Sequence, residues 1–167
     1  MVKQALEQAV EGHADEERPL GPYLGLAGVF ASTYGALLLA AERSNRLPAR
    51  VGVGDLALMG VATHKLSRLL AKDKVTSFLR APFTEFQEPS GHGEVEENPR
   101  GHGWRLALGE LLVCPYCLGL WVAGAFTTGF VFAPRSTRVV ASAFAILAVS
   151  DFLQVAYKAA EDRSQST

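Results

Sequence analysis

A chain of 167 residues is the length of a single domain, and its formal net charge of −1 gives no reason to expect nucleic acid as a partner. Its two cysteines, both in one C-x-x-C, exclude the disulfide framework of a small secreted protein. Neither 19–41 nor 111–134 contains a charged residue. Each run exceeds the ~20 apolar residues that a helix needs to cross a bilayer. The composition therefore predicts an integral membrane protein whose first partner is the lipid bilayer.

Residues 1–18 are polar and acidic and are predicted to be a tail outside a single helical membrane domain, 19–158. This tail lacks the basic opening of a secretory signal, so the first span, about 20–41, is expected to stay uncleaved. Small residues at 4-3-4-3 spacing share one face of that span and predict close packing against another helix. They are Gly21, Gly25, Gly28, Ser32 and Gly35.

A short basic turn, 42–50, precedes a second predicted span at about 51–70. This span is weaker, since it contains Asp55 and, near its end, His64, Lys65 and Arg68. Charges at membrane depth are costly and normally face protein, water or a partner. We expect Asp55 near one interface and the basic residues at the headgroups of the other, because long basic side chains reach outward.

The polar segment 72–105 is predicted to connect spans two and three with one short amphipathic helix and a Pro/Gly-rich loop. The helix would lie on the membrane surface. The acidic run Glu94, Glu96 and Glu97 is interpreted as a solvated face of the loop. The predicted apolar face of the helix comprises Val75, Phe78, Leu79, Pro82 and Phe83, and the basic residues outside it are Lys72, Lys74 and Arg80.

Residues 109–121 read G-E-L-L-V-C-P-Y-C-L-G-L-W and combine reactive groups with the start of a third span, about 111–133. Because a proline ring suits the first turn of a helix, Cys114 is predicted as the N-cap and Pro115 as the first helical residue. Glu110 would lie in an approach segment one turn earlier. The positive end of the new helix favours a thiolate at Cys114, the usual origin of a reactive thiol.

A fourth span is predicted at about 139–158, with Ala141, Ala145 and Ala148 as a small packing face. Asp151 is expected near its end, as a rim carboxylate paired with a nearby lysine or arginine, and 159–167 as a polar tail. The predicted fold class is therefore all-α, with about four transmembrane helices. The distribution of basic residues beside the spans favours cytoplasmic termini.

The stretch from His64 to Trp121 resembles a known family. It carries K-D-K-V-T at 72–76, R-A-P-F-T at 80–84, G-H-G-E at 91–94 and G-E-L-L-V-C-P-Y-C at 109–117. These motifs are similar to those of the bacterial membrane-protein family numbered 1360 among the domains of unknown function. The resemblance covers about 56–157 and implies a protein of the bacterial cell (inner) membrane. Some members are described as sporulation-associated, and the family supplies no activity, substrate or cofactor.

Three functions stay open for the cysteine stretch. The first is a non-enzymatic membrane component, an assembly or scaffold factor, in which the cysteines pack as small apolar side chains and Glu110 pairs with a basic residue. The second is a membrane dithiol oxidoreductase, in which Cys114 and Cys117 exchange electrons with a quinone or a protein thiol. Glu110 is the third candidate catalytic residue for that reaction.

The third function is a structural zinc site. Cys114 and Cys117 have the spacing of half such a site, and zinc in structural sites takes four ligands. His92 and His102, each between two glycines in the predicted loop, are the candidates to complete it, with His64 in reserve. Zinc is thus the one cofactor that the sequence suggests.

Overall fold

The computed structural model describes residues 18–165, so the predicted tail 1–18 lies almost wholly outside the described residues. Six α-helices and one two-stranded sheet occur in this part of the chain. The helices are α1 (Leu20–Arg43), α2 (Val53–Lys72), α3 (Ser77–Arg80), α4 (Trp104–Val113), α5 (Pro115–Phe132) and α6 (Pro134–Gln165). The strands are β1 (Thr84–Pro89) and β2 (Val95–Pro99), and a 3₁₀ turn, Lys74–Thr76, precedes α3.

Three helices within residues 18–165 are long and apolar enough to cross a membrane by length and composition, namely α1, α5 and α6. They correspond to the first, third and fourth predicted spans. The helix α6 continues through the predicted tail as far as Gln165, and its 32 residues reach about 48 Å at ~1.5 Å per residue. The second predicted span corresponds to α2, which does not meet the same criterion. The prediction of four spans is therefore not confirmed.

The helix α2 is nonetheless central, since it packs against both α5 and α6. Its low hydropathy comes from four charged residues, and each has a partner elsewhere in the chain. An isolated charge inside a helical bundle would be costly, but paired charges are tolerated there. The pairs are Asp55–Arg138, Lys65–Asp151, Arg68–Glu94 and Lys72–Glu96. The predictions for Asp151 as a paired rim carboxylate and for a charge-bearing α2 agree with this arrangement.

The core lies where α2, α5 and α6 meet. Met59 and Ala62 of α2 pack there with Phe126 of α5 and Ala141 of α6. The predicted small face of α6 is confirmed by two of its members, because Ala141 and Ala148 are buried. Small side chains let the helices approach closely, which replaces the hydrophobic drive that lipid cannot supply.

Of the glycines predicted to form a packing face on α1, one packs closely against another part of the described structure. Gly25 lies against the Trp104 ring, whereas Gly21, Gly28 and Gly35 have open space where a Cβ would stand. The reason is that α1 uses bulky residues to contact α5. The Phe30 ring stacks on Tyr34 and meets Trp121 edge-on, and it is Gly124 of α5 that makes room for it.

The second half of the segment 72–105 is a β-hairpin and not the loop that its Pro and Gly content predicted, so all-α is corrected to mostly helical with one small sheet. The strands pair antiparallel, from Thr84 opposite Pro99 to Pro89 opposite Val95. Strand ends tolerate proline, because no further ladder hydrogen bond is needed there. The turn between the strands contains Gly91 with φ of 75° and Gly93 with φ of 83°, a conformation that glycine adopts at little cost.

The predicted amphipathic helix is shorter than its pattern. Val75 lies in the 3₁₀ turn, α3 is a single turn, and Phe83 falls beyond it. Val75 and Phe78 are exposed as predicted. Arg80, expected outside the apolar face, is instead completely buried.

Candidate functional site

The cysteine pair lies at the junction of α4 and α5. The chain turns at Cys114, whose φ of −103° and ψ of 104° are extended, as expected for a residue before proline. Its Sγ accepts a hydrogen bond from the Cys117 amide at 3.1 Å, so Cys114 is the N-cap of α5 and Pro115 its first residue. Both predictions are confirmed. Cys114 and Cys117 form a disulfide, with their Cα atoms 5.2 Å apart.

Glu110 shares a pocket with the disulfide. The pocket has a volume of about 470 Å³, and both Glu110 and Cys117 line it. Glu110 accepts a hydrogen bond from the phenol of Tyr23 at the start of α1. The basic residues expected to pair with it contact other groups, so that expectation is wrong: Lys65 pairs with Asp151, Arg68 with Glu94, and Arg105 donates to the Pro82 carbonyl. The approach segment before the cysteines is a ten-residue helix, α4, which holds Glu110 firmly one turn ahead of them. A carboxylate in this position can accept a proton from a thiol that attacks the disulfide.

The structure does not assemble the residues predicted to bind zinc. Among residues 18–165, no group of three or more His, Cys, Asp or Glu side chains is arranged to hold a metal ion. His92 lies in the hairpin turn and lines a pocket with His64, and His102 precedes α4. The zinc hypothesis thus gains no geometric support from the described part of the chain.

A buried arginine anchors the hairpin, and the sequence did not reveal it. All five N–H groups of Arg80 are hydrogen-bonded, at donor–acceptor distances of 2.7 to 3.2 Å. The acceptors, which together with Arg80 we call the Arg80 cluster, are the carboxylate of Glu97, the hydroxyls of Thr76 and Ser77, and the backbone carbonyls of Leu70 and Asp73.

Glu97 completes this cluster from the hairpin side. Glu97 lies with Val95 on the buried face of β2, two residues further along the strand. This two-residue spacing was not recognised in the sequence because Glu97 is charged. Burial by itself would raise the pKa of Glu97, but hydrogen bonds from Arg80, Ser77 and Thr84 outweigh that effect and hold the pKa below its usual value. Arg80 and Glu97 therefore remain charged and paired at neutral pH.

The acidic run of the hairpin is paired and is not the solvated face that we expected. Arg68 donates Nε and Nη2 to the two carboxylate oxygens of Glu94, each at 2.7 Å. Lys72 donates to Glu96 at 2.6 Å, and this hydrogen bond, which outweighs burial, lowers the pKa of Glu96. Together with the Arg80 cluster, these pairs hold the hairpin against the last turns of α2 and against the 3₁₀ turn and α3 that follow it.

A second pocket, of about 410 Å³, opens where α2, the hairpin turn and α6 meet. The ring of His64 stacks on Phe152 of α6 at a centroid distance of 6.5 Å. This pocket could not be predicted from the sequence, because its walls come from three segments that are far apart along the chain. Its titratable side chains are His64, Lys65, Arg68, Asp73, His92, Glu94 and Asp151.

The family described as "Protein of unknown function (DUF1360)" matches residues 58–157, which include the disulfide, the Arg80 cluster and the second pocket. This chain belongs to the DUF1360 family. The resemblance read from the sequence motifs is thereby confirmed. All of α1, the turn after it and the first five residues of α2 precede the matched region.

Two proteins of Bacillus subtilis (strain 168) are similar to part of this chain. Sporulation protein YjcA is 38% identical over 72 residues, which cover 41% of this chain and 61% of that protein. UPF0713 protein YngL is 31% identical over 78 residues, which cover 45% of this chain and 56% of that protein. The chain thus spans less than two thirds of the length of either relative. No solved structure matches it.

Proposed function

We propose that this DUF1360 protein is a non-enzymatic component of the bacterial cell (inner) membrane, an assembly or scaffold factor that presents its hairpin to a protein partner. The observation that carries the proposal is the Arg80 cluster. A completely buried arginine with every donor satisfied fixes a small polar module against the helices. Such a network supplies a rigid surface, which is what a scaffold needs to dock a partner with little loss of entropy.

The face that the hairpin offers is strand β1. Every residue of β1 except Thr84 is exposed, and Phe86 is 58% exposed. Within the described residues β1 pairs only with β2, so its other edge has free backbone donors and acceptors. An extended segment of another protein can add to such an edge, with Phe86 as an apolar contact.

Site-specific photo-crosslinking tests this proposal. A crosslinking amino acid placed at Phe86 of the full-length protein, in native membranes, is expected to give one discrete protein adduct. The same probe at Val139, an exposed residue of α6, is the control for contacts in the lipid. The Phe86 adduct should survive replacement of both cysteines by serine. The scaffold proposal fails if Phe86 gives no adduct above the Val139 level, or if the adduct requires the cysteines.

The proposed orientation counts α2 as a fourth span and has both termini in the cytoplasm. It is supported by the basic residues near the start of α1 and around the hairpin. In a variant with both cysteines changed to alanine, single cysteines at Asn45 and Ser90 probe the two sides. An impermeant maleimide applied to intact cells is expected to label position 45 and not position 90. The reverse pattern would invert the orientation.

The second candidate function is a membrane dithiol oxidoreductase, which the position of Glu110 beside the disulfide favours. In this reaction two thiols of a substrate protein become one disulfide, and the Cys114–Cys117 disulfide becomes two thiols. Glu110 would take the proton of the attacking thiol and return it to the cysteine that leaves. The second substrate proton would pass to the other cysteine when the mixed disulfide resolves, so that electrons and protons balance.

Maleimide gel-shift trapping in intact cells distinguishes the two functions. An oxidoreductase predicts that part of the protein is blocked until reductant is added, and that Glu110→Gln slows the change between the two states. A pair that labels fully without reductant would remove the redox candidate and leave the scaffold. If all of the protein resists maleimide until reductant is added, and Glu110→Gln does not change this, Cys114 and Cys117 form a static structural disulfide.

A further inference from the structure

The pocket between α2, the hairpin turn and α6 carries charges that neither proposed function uses. We call it the junction pocket and define its polar wall by Lys65, Arg68, Glu94 and Asp151. Its position places it at the end of α2 and beside the part of α6 that leaves the core. A lipid headgroup would meet the protein at this level, because the uncharged stretch 139–150 of α6 ends at Asp151.

Two ion pairs form this wall, and each pair has one shielded and one accessible member. Lys65 and Asp151 form the first, with side chains 18% and 50% exposed. Arg68 and Glu94 form the second, with side chains 50% and 21% exposed. The accessible members therefore have opposite signs, a guanidinium on α2 and a carboxylate on α6.

The other residues that line the junction pocket limit the chemical class of ligand that it can bind. One carboxylate oxygen of Asp73 accepts a hydrogen bond from the Val75 amide at 2.8 Å, so Asp73 caps the 3₁₀ turn. Phe152 and Val155 are exposed apolar residues of α6 on the same rim. A purely anionic ligand would meet the carboxylates of the wall, and a purely cationic one would meet Lys65 and Arg68. A ligand with both charges and an adjoining apolar part places an opposite charge beside each accessible member, Arg68 and Asp151, and an apolar group beside Phe152.

We propose that the junction pocket binds a zwitterionic phosphate–ammonium group, as carried by the headgroup of phosphatidylethanolamine. The phosphate accepts a hydrogen bond from Nη1 of Arg68, the guanidinium nitrogen that does not donate to Glu94. The primary ammonium donates to Asp151, and the glycerol and first methylenes lie along Phe152. A volume of about 410 Å³ falls within the range of small-ligand pockets.

Native mass spectrometry of the full-length protein in detergent tests the proposal, with phosphatidylethanolamine, phosphatidylcholine and phosphatidylglycerol as probes. Phosphatidylethanolamine is expected to bind most tightly, since the quaternary ammonium of phosphatidylcholine has no N–H to donate and phosphatidylglycerol has no cation. Soluble glycerophosphoethanolamine is the fourth probe. Equal affinity for it would assign the same site to a free zwitterion, whereas tighter binding of the lipid assigns it to the membrane.

Two variants locate the site. Arg68→Gln is expected to weaken binding of both phosphatidylethanolamine and phosphatidylglycerol, and Asp151→Asn to weaken only the former, each by about tenfold through one lost charge-assisted hydrogen bond. Arg138→Gln breaks an exposed ion pair at the opposite end of α2 and is the matched control. Equal binding of the three lipids by the unaltered protein would overturn the proposal whatever the variants do. An effect of Arg138→Gln as large as that of Arg68→Gln would overturn it too.

Discussion

The Nε of Arg80 lies 2.8 Å from a carboxylate oxygen of Glu97, and both side chains are withdrawn from solvent, at 0% and 5% exposed. Arg80 belongs to the one-turn helix α3 and Glu97 to β2. Their ion pair therefore joins the segment that follows α2 to the hairpin. Charges out of water are stabilised only when their remaining donors and acceptors are satisfied. The Arg80 cluster meets that condition, and it therefore decides where the hairpin lies.

Removing one member of this pair should destabilise the protein strongly. Arg80→Met leaves the Glu97 carboxylate buried without its cation, and Glu97→Gln leaves the guanidinium without its anion. We expect either change to lower the free energy of unfolding by ~3–5 kcal/mol. Thermal unfolding of the detergent-solubilised protein, followed by circular dichroism, measures the loss.

A matched exposed pair provides the control for that prediction. Arg138→Met removes the partner of Asp55, and its guanidinium is 47% exposed, so the change should destabilise the protein far less than Arg80→Met does. The double variant Arg80→Met with Glu97→Gln is expected to be less destabilised than the sum of the two single changes, because neither charge is left unpaired. Additive losses would mean that Arg80 and Glu97 act independently.

Acid should loosen the hairpin before it unfolds the helices. The pKa values of Glu96 and Glu97 are lowered in the folded protein, the first by its hydrogen bond from Lys72 and the second by hydrogen bonds that outweigh burial. A lowered folded-state pKa gives stability that is fully present above the unfolded value of ~4.3 and is lost as pH falls through the folded value. The protection factors of the hairpin amides, which are corrected for the pH dependence of intrinsic exchange, should therefore be constant near neutrality and fall below about pH 4.

The variant Glu97→Gln tests the origin of that acid response. Glutamine does not titrate, so the hairpin amides of this variant should have lower protection factors than the unaltered protein at neutral pH and should lose less protection in acid. A Glu97→Gln profile parallel to that of the unaltered protein would assign the acid response to other groups.

Close contact between α4 and the hairpin depends on Gly109. A Cβ at this position would stand 2.7 Å from the carbonyl oxygen of Phe83 and 3.0 Å from the Cβ of Pro99. Backbone cannot move aside as a flexible side chain can, so Gly109→Ala is expected to cost about 1–3 kcal/mol in unfolding free energy. Gly119→Ala has open space around its Cβ and serves as the control. Equal melting temperatures for the two variants would contradict this packing.

Local signals in the sequence were sufficient for the helical half of the fold. Uninterrupted apolar runs marked the helices α1 and α5, and an apolar stretch that Asp151 interrupts marked α6. The proline at position 115 indicated both the start of α5 and the N-cap role of Cys114. Each of these features depends on residues within one or two turns of each other. The physics that produces them can therefore be read along the chain.

The polar half could not be read in the same way, because its partners are distant in sequence. Arg80 and Glu97 are separated by 17 residues, and Asp55 and Arg138 by 83. Nothing near Arg80 distinguishes a buried arginine from one on the surface until the hairpin closes over it. Proline and glycine correctly indicated turns within 72–105, but they concealed two short strands whose ladder forms only when both segments pair.

The N-cap role of Cys114 predicts a difference between two substitutions that both remove the disulfide. In a background of Cys117→Ala, serine at position 114 can still accept a hydrogen bond from the backbone of the first turn of α5, whereas alanine cannot. Cys114→Ser should therefore be more stable than Cys114→Ala by ~1 kcal/mol. Thermal unfolding under reducing conditions, where no disulfide contributes in any variant, measures this difference directly. If the two variants unfold together, Cys114 contributes to α5 through its disulfide alone, and the hydrogen bond from the Cys117 amide to its sulfur adds nothing to the stability of the helix start.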